Sequence, residues 1–294
     1  MKQHLLNGRL FLTFTIVCLV SCKKTVEQAV SSPNTVAQHD STSHVINTTT
    51  NPYPVTPTQE CIYAPNYGDT ILYPQPSAGF SYASPKKPSG VQGTYLSWPG
   101  GLVMDSKTGV INLTLSQTGQ RYDVAFVQYG TTDTCISQVI IGGVAYMDSV
   151  YSLSQSQATA VPYVDANPGA APPCQNNQYG QGCAFDYGGF AKRQGIQVNY
   201  QTGAIALQQT VRNAFGRNPV NGATVNTVIF YRLNNNSNYA LQNIQLQLIY
   251  YNKRSDIPNS LLATIASRQS NVLNTQLISK GPSARPPLIV IVRN

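Results

Sequence analysis

Residues able to do acid–base or nucleophilic chemistry are scarce in this chain and badly placed for it. All three histidines, His4, His39 and His44, fall ahead of any stretch patterned as strand or helix. The body of the chain therefore offers no Ser-His-Asp or Cys-His nucleophile and no histidine metal centre. Glutamate occurs only at Glu27 and Glu60, so a paired-carboxylate glycosidase would have to be assembled from Asp105, Asp123, Asp133, Asp148, Asp165, Asp186 and Asp256. Their spacing suggests no such pair. Asp165-Ala-Asn167 and Asp186 are oxygen donors near a loop, a weak calcium arrangement without an EF-hand pattern or a dense acidic run. They are read as ordinary turn-forming residues, with no metal and no cofactor implied.

What remains is binding and cross-linking chemistry. Setting aside Cys18 and Cys22, the chain keeps Cys61, Cys135, Cys174 and Cys183, an even set that permits three pairings. Cys174 with Cys183 is favoured, because a short loop rich in Gly, Gln and Asn is otherwise poorly ordered, leaving Cys61 with Cys135. A four-cysteine zinc site is the rival, and the absence of a C-x₂₋₄-C pair speaks against it. Residues 60–151 carry four basic and six acidic residues, whereas residues 185–294 carry eleven basic ones against Asp186 and Asp256. This asymmetry reads either as plain solvation of a low-charge surface or as an anion-facing surface carrying Arg212, Arg217, Arg232, Lys253 and Arg254. Eighteen tyrosines and Trp98 raise a second possibility, since exposed aromatic faces stack on sugar rings. Packing in cores and at sheet edges is the commoner role of such residues, and of the neighbours Tyr250 and Tyr251 at most one can face outward from a strand.

The elements that would position these groups are strands. Charged residues make up only 10% of the chain while apolar residues make up 41%, a polar but weakly ionic composition common in secreted β-proteins. Residues 101–115 return as residues 195–209 at a constant offset of 94, with Gly101/Gly195, Asp105/Asn199, Thr108/Thr202, Gly109/Gly203, Ile111/Ile205 and Leu113/Leu207 in register. In each copy an Asx residue opens a tight turn and a glycine closes it. Ile111, Leu113 and Leu115 alternate with polar residues, as do Tyr122, Val124 and Phe126, and further strands are expected over 135–141 and 145–151. In the second copy Val225, Thr227, Ile229, Tyr231 and Leu233 share a face, as do Ile244, Leu246, Leu248 and Tyr250. A single short helix is expected after Asp256, capped by its side chain, with Leu261, Leu262, Ile265 and Ala266 as its apolar stripe. The run 287–292 reads as a buried strand.

Two resemblances follow from these residues. Trp98-Pro-Gly-Gly-Leu-Val-Met-Asp-Ser-Lys-Thr-Gly-Val-Ile111 with Thr118-Gly-Gln-Arg-Tyr-Asp-Val124 resembles the signature of bacterial immunoglobulin-like and dystroglycan-type cadherin-like domains, which implies all-β sandwiches in a cell-surface setting. The second copy departs from it, with Lys192 and Gln194 in place of Trp98 and Gly100. At the front, Lys2 and Arg9 precede the apolar run 10–20, an export signal ending in Leu19-Val20-Ser21-Cys22. These four residues resemble a bacterial lipobox, which implies lipidation of Cys22 and a durable anchor in the outer membrane, of the kind frequent in Bacteroidota. The expected organisation is a signal peptide at 1–21, a Ser/Thr/Asn/Pro-rich flexible tether at 22–59, an immunoglobulin-like sandwich at 60–151, a linker at 152–184 and a second sandwich-like domain at 185–294. The expected role is a non-catalytic binding or structural module of the envelope, with polysaccharide or another envelope protein as partner. Nucleic acid is disfavoured by the exported address. A glycan-binding accessory lipoprotein is the alternative and an enzyme the last choice.

Overall fold

The structure is a computed structural model that describes residues 63–76, 79–86, 90–131, 134–154, 158–176, 180–273 and 286–293. Cys22, Cys61, the signal segment and the tether lie outside these residues. Six strands form the first module: β1 (Ile71–Leu72), β2 (Tyr82–Ala83), β3 (Gly93–Trp98), β4 (Ile111–Asn112), β5 (Gln120–Gln128) and β6 (Thr134–Ile141). A four-stranded sheet in the order β1-β6-β5-β3, with β1 parallel to β6, faces the antiparallel pair β2-β4, an immunoglobulin-like sandwich. Tyr122, Val124 and Phe126 on β5 meet Tyr95, Leu102, Met104 and Ile111 in its core. The expected strand through Leu115 stops earlier, and Leu115 is 47% exposed. Asn112 ends it, since its side chain accepts the Leu115 N–H at 3.1 Å and its carbonyl accepts the Ser116 hydroxyl at 2.7 Å. These local bonds displace a ladder.

The second module contains β7 (Val144–Tyr146), β8 (Ser149–Ser152), β9 (Thr159–Ala160), β10 (Pro162–Val164), β11 (Ala184–Phe185), β12 (Ile205–Ala206), β13 (Ala223–Arg232), β14 (Gln242–Tyr251) and β15 (Leu288–Val292). Where one short helix is expected, the described residues hold three α-helical segments, α1 (Phe190–Arg193), α2 (Leu207–Thr210) and α3 (Asn259–Leu273), besides a π-helical turn at Val211–Phe215 and a 3-10 turn at Arg254–Asp256. A five-stranded sheet runs β11-β13-β14-β15-β8. The inward faces of β13 and β14 are those read from the alternation, and they pack on β7, β9, β10 and β12. The opposite face carries Ile249, Tyr251, Val290 and Val292 and is covered by Leu261, Leu262 and Ile265 of α3, while Ala266 is exposed. Asp256 does not cap that helix: its carboxylate accepts the Lys253 N–H at 3.2 Å and the Asn221 amide at 3.0 Å. Tyr250 and Tyr251 are both buried, one in each core.

Two stretches sit differently from their expected places. Residues 149–152, expected to close the first module, pair in parallel with β15, and the expected linker holds β9 and β10. Apolar and aromatic residues make 145–151 legible as strand, but nothing in their order says which sheet receives it.

The repeated corner is duplicated in its backbone amide bonds, while the bond from the Thr108 hydroxyl to Asp105 is seen in the first copy. Asp105 Oδ1 accepts the Thr108 N–H at 2.7 Å, and Asn199 Oδ1 accepts the Thr202 N–H at 2.9 Å. Gly109 N–H donates to the Asp105 carbonyl at 2.8 Å and Gly203 N–H to the Asn199 carbonyl at 2.9 Å. Each glycine has positive φ, 71° and 73°, and lies on an aromatic ring, so that an added Cβ would come within 2.6 Å of Tyr95 or 2.5 Å of Phe185. Each glycine carbonyl accepts a tyrosine hydroxyl, Tyr67 at 2.7 Å and Tyr146 at 2.6 Å. The correspondence also runs past the sequence repeat, because Ser116 Oγ accepts the Val103 N–H and Thr210 Oγ1 the Gln197 N–H, again 94 residues apart.

The modules join without a spacer. β6 passes through Gly142 and Gly143 into β7, and the Val144 N–H donates to the Tyr231 hydroxyl at 3.0 Å. That hydroxyl also bonds Thr118 Oγ1, which contacts the Asn243 carbonyl at 3.2 Å. Asp165 accepts the Gly143 N–H at 2.9 Å and the Tyr73 hydroxyl at 2.7 Å, and Gln242 donates to the Gly142 carbonyl at 3.1 Å.

Two outcomes are expected. Gly109→Ala and Gly203→Ala should each lower the unfolding free energy by about 2–4 kcal/mol in urea titrations, combining left-handed strain with overpacking. Burial pushes the Asp105 carboxyl up, but the hydrogen bonds from Thr108 and Lys107 win and hold it below its ordinary value. A lowered native pKa gives stability that is present above the unfolded value and lost as pH falls through the native one. Urea midpoints measured from pH 5 to pH 2 should therefore fall further for the native sequence than for Asp105→Asn, whose corner matches the uncharged Asn199 copy.

Candidate functional site

The register Ala184↔Arg232 and Phe185↔Tyr231 turns Phe185 and Tyr231 into the core and leaves Arg232 on the outward face. Just beyond β11, Asp186 adopts φ 51° and accepts the N–H groups of Ala191 and Lys192 at 2.7 and 2.9 Å, bending the chain into α1. This bend puts Tyr187 and Phe190 on the surface, 44% and 37% exposed. The Arg232 guanidinium lies 4.9 Å from the Tyr187 ring centroid and 5.5 Å from that of Tyr239, and donates to the Tyr239 carbonyl at 2.7 Å. Arg193 sits 5.7 Å over Phe190 and donates to the Gly188 carbonyl at 2.6 Å, while Phe190 meets Phe230 edge-on at 6.1 Å. Aromatic faces thus hold two guanidiniums in fixed orientation at the end of one sheet.

The five cations proposed from sequence do not form one site. Lys253 and Arg254 follow β14, and Phe215 packs on Tyr250 at 6.1 Å, tying the segment with Arg212 and Arg217 to that same end. Arg232 is at the far end of β13, nine ladder positions from the Ala223↔Tyr250 pair, or roughly 30 Å. Alternation along β13 carries the separation, but only the pairing direction reveals it. Tyr187, Phe190, Arg193 and Tyr239 escaped selection because an aromatic beside a glycine, or at the end of an asparagine run, gives no sequence sign of stacking on an arginine.

Trp98, a candidate sugar platform, is fully buried. Phe80 and Tyr82 form an exposed T-shaped pair at 6.3 Å, without an arginine over either ring among the described contacts. Asp165 and Asp186 spend their oxygens on the hydrogen bonds already given. Burial pushes the Asp123 carboxyl up, with Gln138 donating to it at 2.9 Å. No three of His, Cys, Asp and Glu converge among the described residues.

Cys174 and Cys183 are bonded, with Cα atoms 4.6 Å apart. Cys135 is also disulfide-bonded, and Cys61, its expected partner, lies outside the described residues. The short loop is fastened to the Arg232 end of the sheet, since Asn234 donates to the Gln175 carbonyl at 3.0 Å.

Neither a protein-family model nor a curated protein matches this chain. Among solved structures, human protocadherin-24 EC1-2 is similar at 7% identity and a TM-score of 0.21, over 63% of this chain and 94% of that one. Drosophila N-cadherin EC1-4 is similar at 9% identity and a TM-score of 0.19, over 64% of this chain and 50% of that one. The fold assignment rests on the sheets described above.

Replacing Cys174 and Cys183 together by serine should cost about 2–3 kcal/mol, from the entropy of a loop of about ten residues. Urea unfolding with and without reductant checks this, and the double variant should be indifferent to the state of that bridge.

Proposed function

We propose that this protein is a cell-envelope lipoprotein, held in the outer membrane by lipid on Cys22, whose two modules form a non-catalytic binding or structural unit. The observation that supports it best is the joint at Gly142–Gly143, where direct hydrogen bonds make one continuous body of two sandwiches. Such a body presents surfaces at a fixed spacing, which suits display and attachment. Asp105, Asp165 and Asp186 are committed to a turn, the joint and the bend into α1, and the sequence has no histidine after His44 to act as a base. A second reading, a glycan-binding accessory lipoprotein, is favoured by the exposed rings of Tyr187 and Phe190 beside fixed arginines.

Growing expressing cells with an alkyne-tagged fatty acid tests the anchor. The native chain should take up label and sediment with outer membranes, and Cys22→Ala should lose both properties. Label retained by Cys22→Ala, or absent from the native chain, would overturn the assignment.

A further inference from the structure

We infer that the surface formed by Tyr187, Phe190, Arg232 and Tyr239 binds uronate residues of an acidic polysaccharide. This rests on the reading of the chain as a non-catalytic binding module and names the ligand that one surface of it would take.

The ring and cation contacts decide the chemical class. A guanidinium has five N–H donors in a planar fork, and Arg232 directs a donor to the Tyr239 carbonyl, so about four remain for a ligand. The rings of Tyr187 and Tyr239 hold that plane in place, so less ordering entropy is lost when a carboxylate meets it in two-point fashion. Charge is one-sided: Arg193 lies over Phe190 and Arg232 over Tyr187, and the nearby Asp186 carboxylate is already accepting two backbone N–H groups. Acidic ligands are favoured, and neutral ones gain only the stacking.

Shape separates a saccharide from a peptide. The exposed apolar area here is chiefly aromatic, with Gly188 and Gly189 between Tyr187 and Phe190 in the chain and Leu241, two residues on from Tyr239, as an exposed aliphatic neighbour. A hexuronate offers an apolar C–H face for Phe190 or Tyr187 and, on the same ring, a carboxylate for Arg232. An added Cβ at Gly188 would meet no atom within 4 Å, so the surface is open at that residue.

The test uses the full chain in detergent, titrated calorimetrically with polygalacturonate, neutral dextran and dextran sulfate. Saturable binding to polygalacturonate is expected, with none to dextran. Arg232→Gln should weaken it about tenfold or more, and Arg232→Lys, which keeps charge but not the fork, should recover only part of that. Tyr187→Ala removes an exposed ring and should weaken binding severalfold. Lys253→Gln, at the opposite end of the sheet, should stay within about twofold of the native chain.

Absent polygalacturonate binding, or equal losses from Lys253→Gln and Arg232→Gln, would overturn the inference, the latter marking diffuse charge attraction. Stronger capture of dextran sulfate, or of an acidic peptide that competes at the same residues, would also overturn it. Circular dichroism of Tyr187→Ala and Arg232→Lys confirms that losses are local. Because fatty-acid labelling is read separately, failure of the anchor and failure of the saccharide surface are distinguishable.

Discussion

The hydroxyl of Tyr231 lies where the two modules meet, and both contribute neighbours to it. Its ring is fully buried and stacks on Phe185 at 5.8 Å, so the hydroxyl cannot turn to water. A buried hydroxyl without partners costs about 1–3 kcal/mol, and here the Val144 N–H and the Thr118 hydroxyl supply them from the junction. The same contact leaves no room for a side chain at Gly143, whose added Cβ would meet that oxygen. Thr118 belongs to the first module and Asn243 to the second, so one short chain of hydrogen bonds fixes their mutual placement. Gln75, reaching from the first module to Asn236 at 2.8 Å and Asn238 at 2.6 Å, adds an exposed brace beside it.

Each corner follows a common plan: an Asx side chain collects turn amides, a glycine rests on an aromatic ring, and a tyrosine hydroxyl takes the glycine carbonyl. The copies differ in charge at two positions, Asp105 against Asn199 and Lys107 against Gln201, and the first of these is the one that accepts the turn amides. The ionised oxygen makes stronger hydrogen bonds but ties that corner to pH, while the amide gives weaker bonds independent of it. The carboxylate is partly desolvated there, and the hydrogen bonds from Thr108 and Lys107 outweigh that cost.

The turn and core residues of the corners were legible in the sequence because the offset between 101–115 and 195–209 is constant. The supporting residues were not. Tyr67 and Tyr146 are 79 apart, Tyr95 and Phe185 are 90 apart, and the paired strands at Tyr82 and Thr159 are 77 apart. Loops of unequal length shift each register, and the replacement of Tyr95 by Phe185 keeps the ring while changing the letter. The surface around Arg232 was half legible: the cation stood out in a weakly charged chain, whereas its aromatic setting depends on the Asp186 bend and on strand direction. The burial of Trp98 matches the commoner expectation for an aromatic residue, although nothing beside Pro99 marks which sheet face receives it.

In the first sheet the place beside β6 is taken by β1, which precedes it in the chain; in the second, the equivalent place beside β14 is taken by β15, which comes last. During synthesis, then, the first sandwich has all its described strands as soon as residue 141 emerges, while β8 waits without its partner for more than a hundred further residues. Throughout that interval β8 presents open edges to the surroundings, joined by β14 once residue 251 is made, a period when export factors or chaperones have exposed strands to hold.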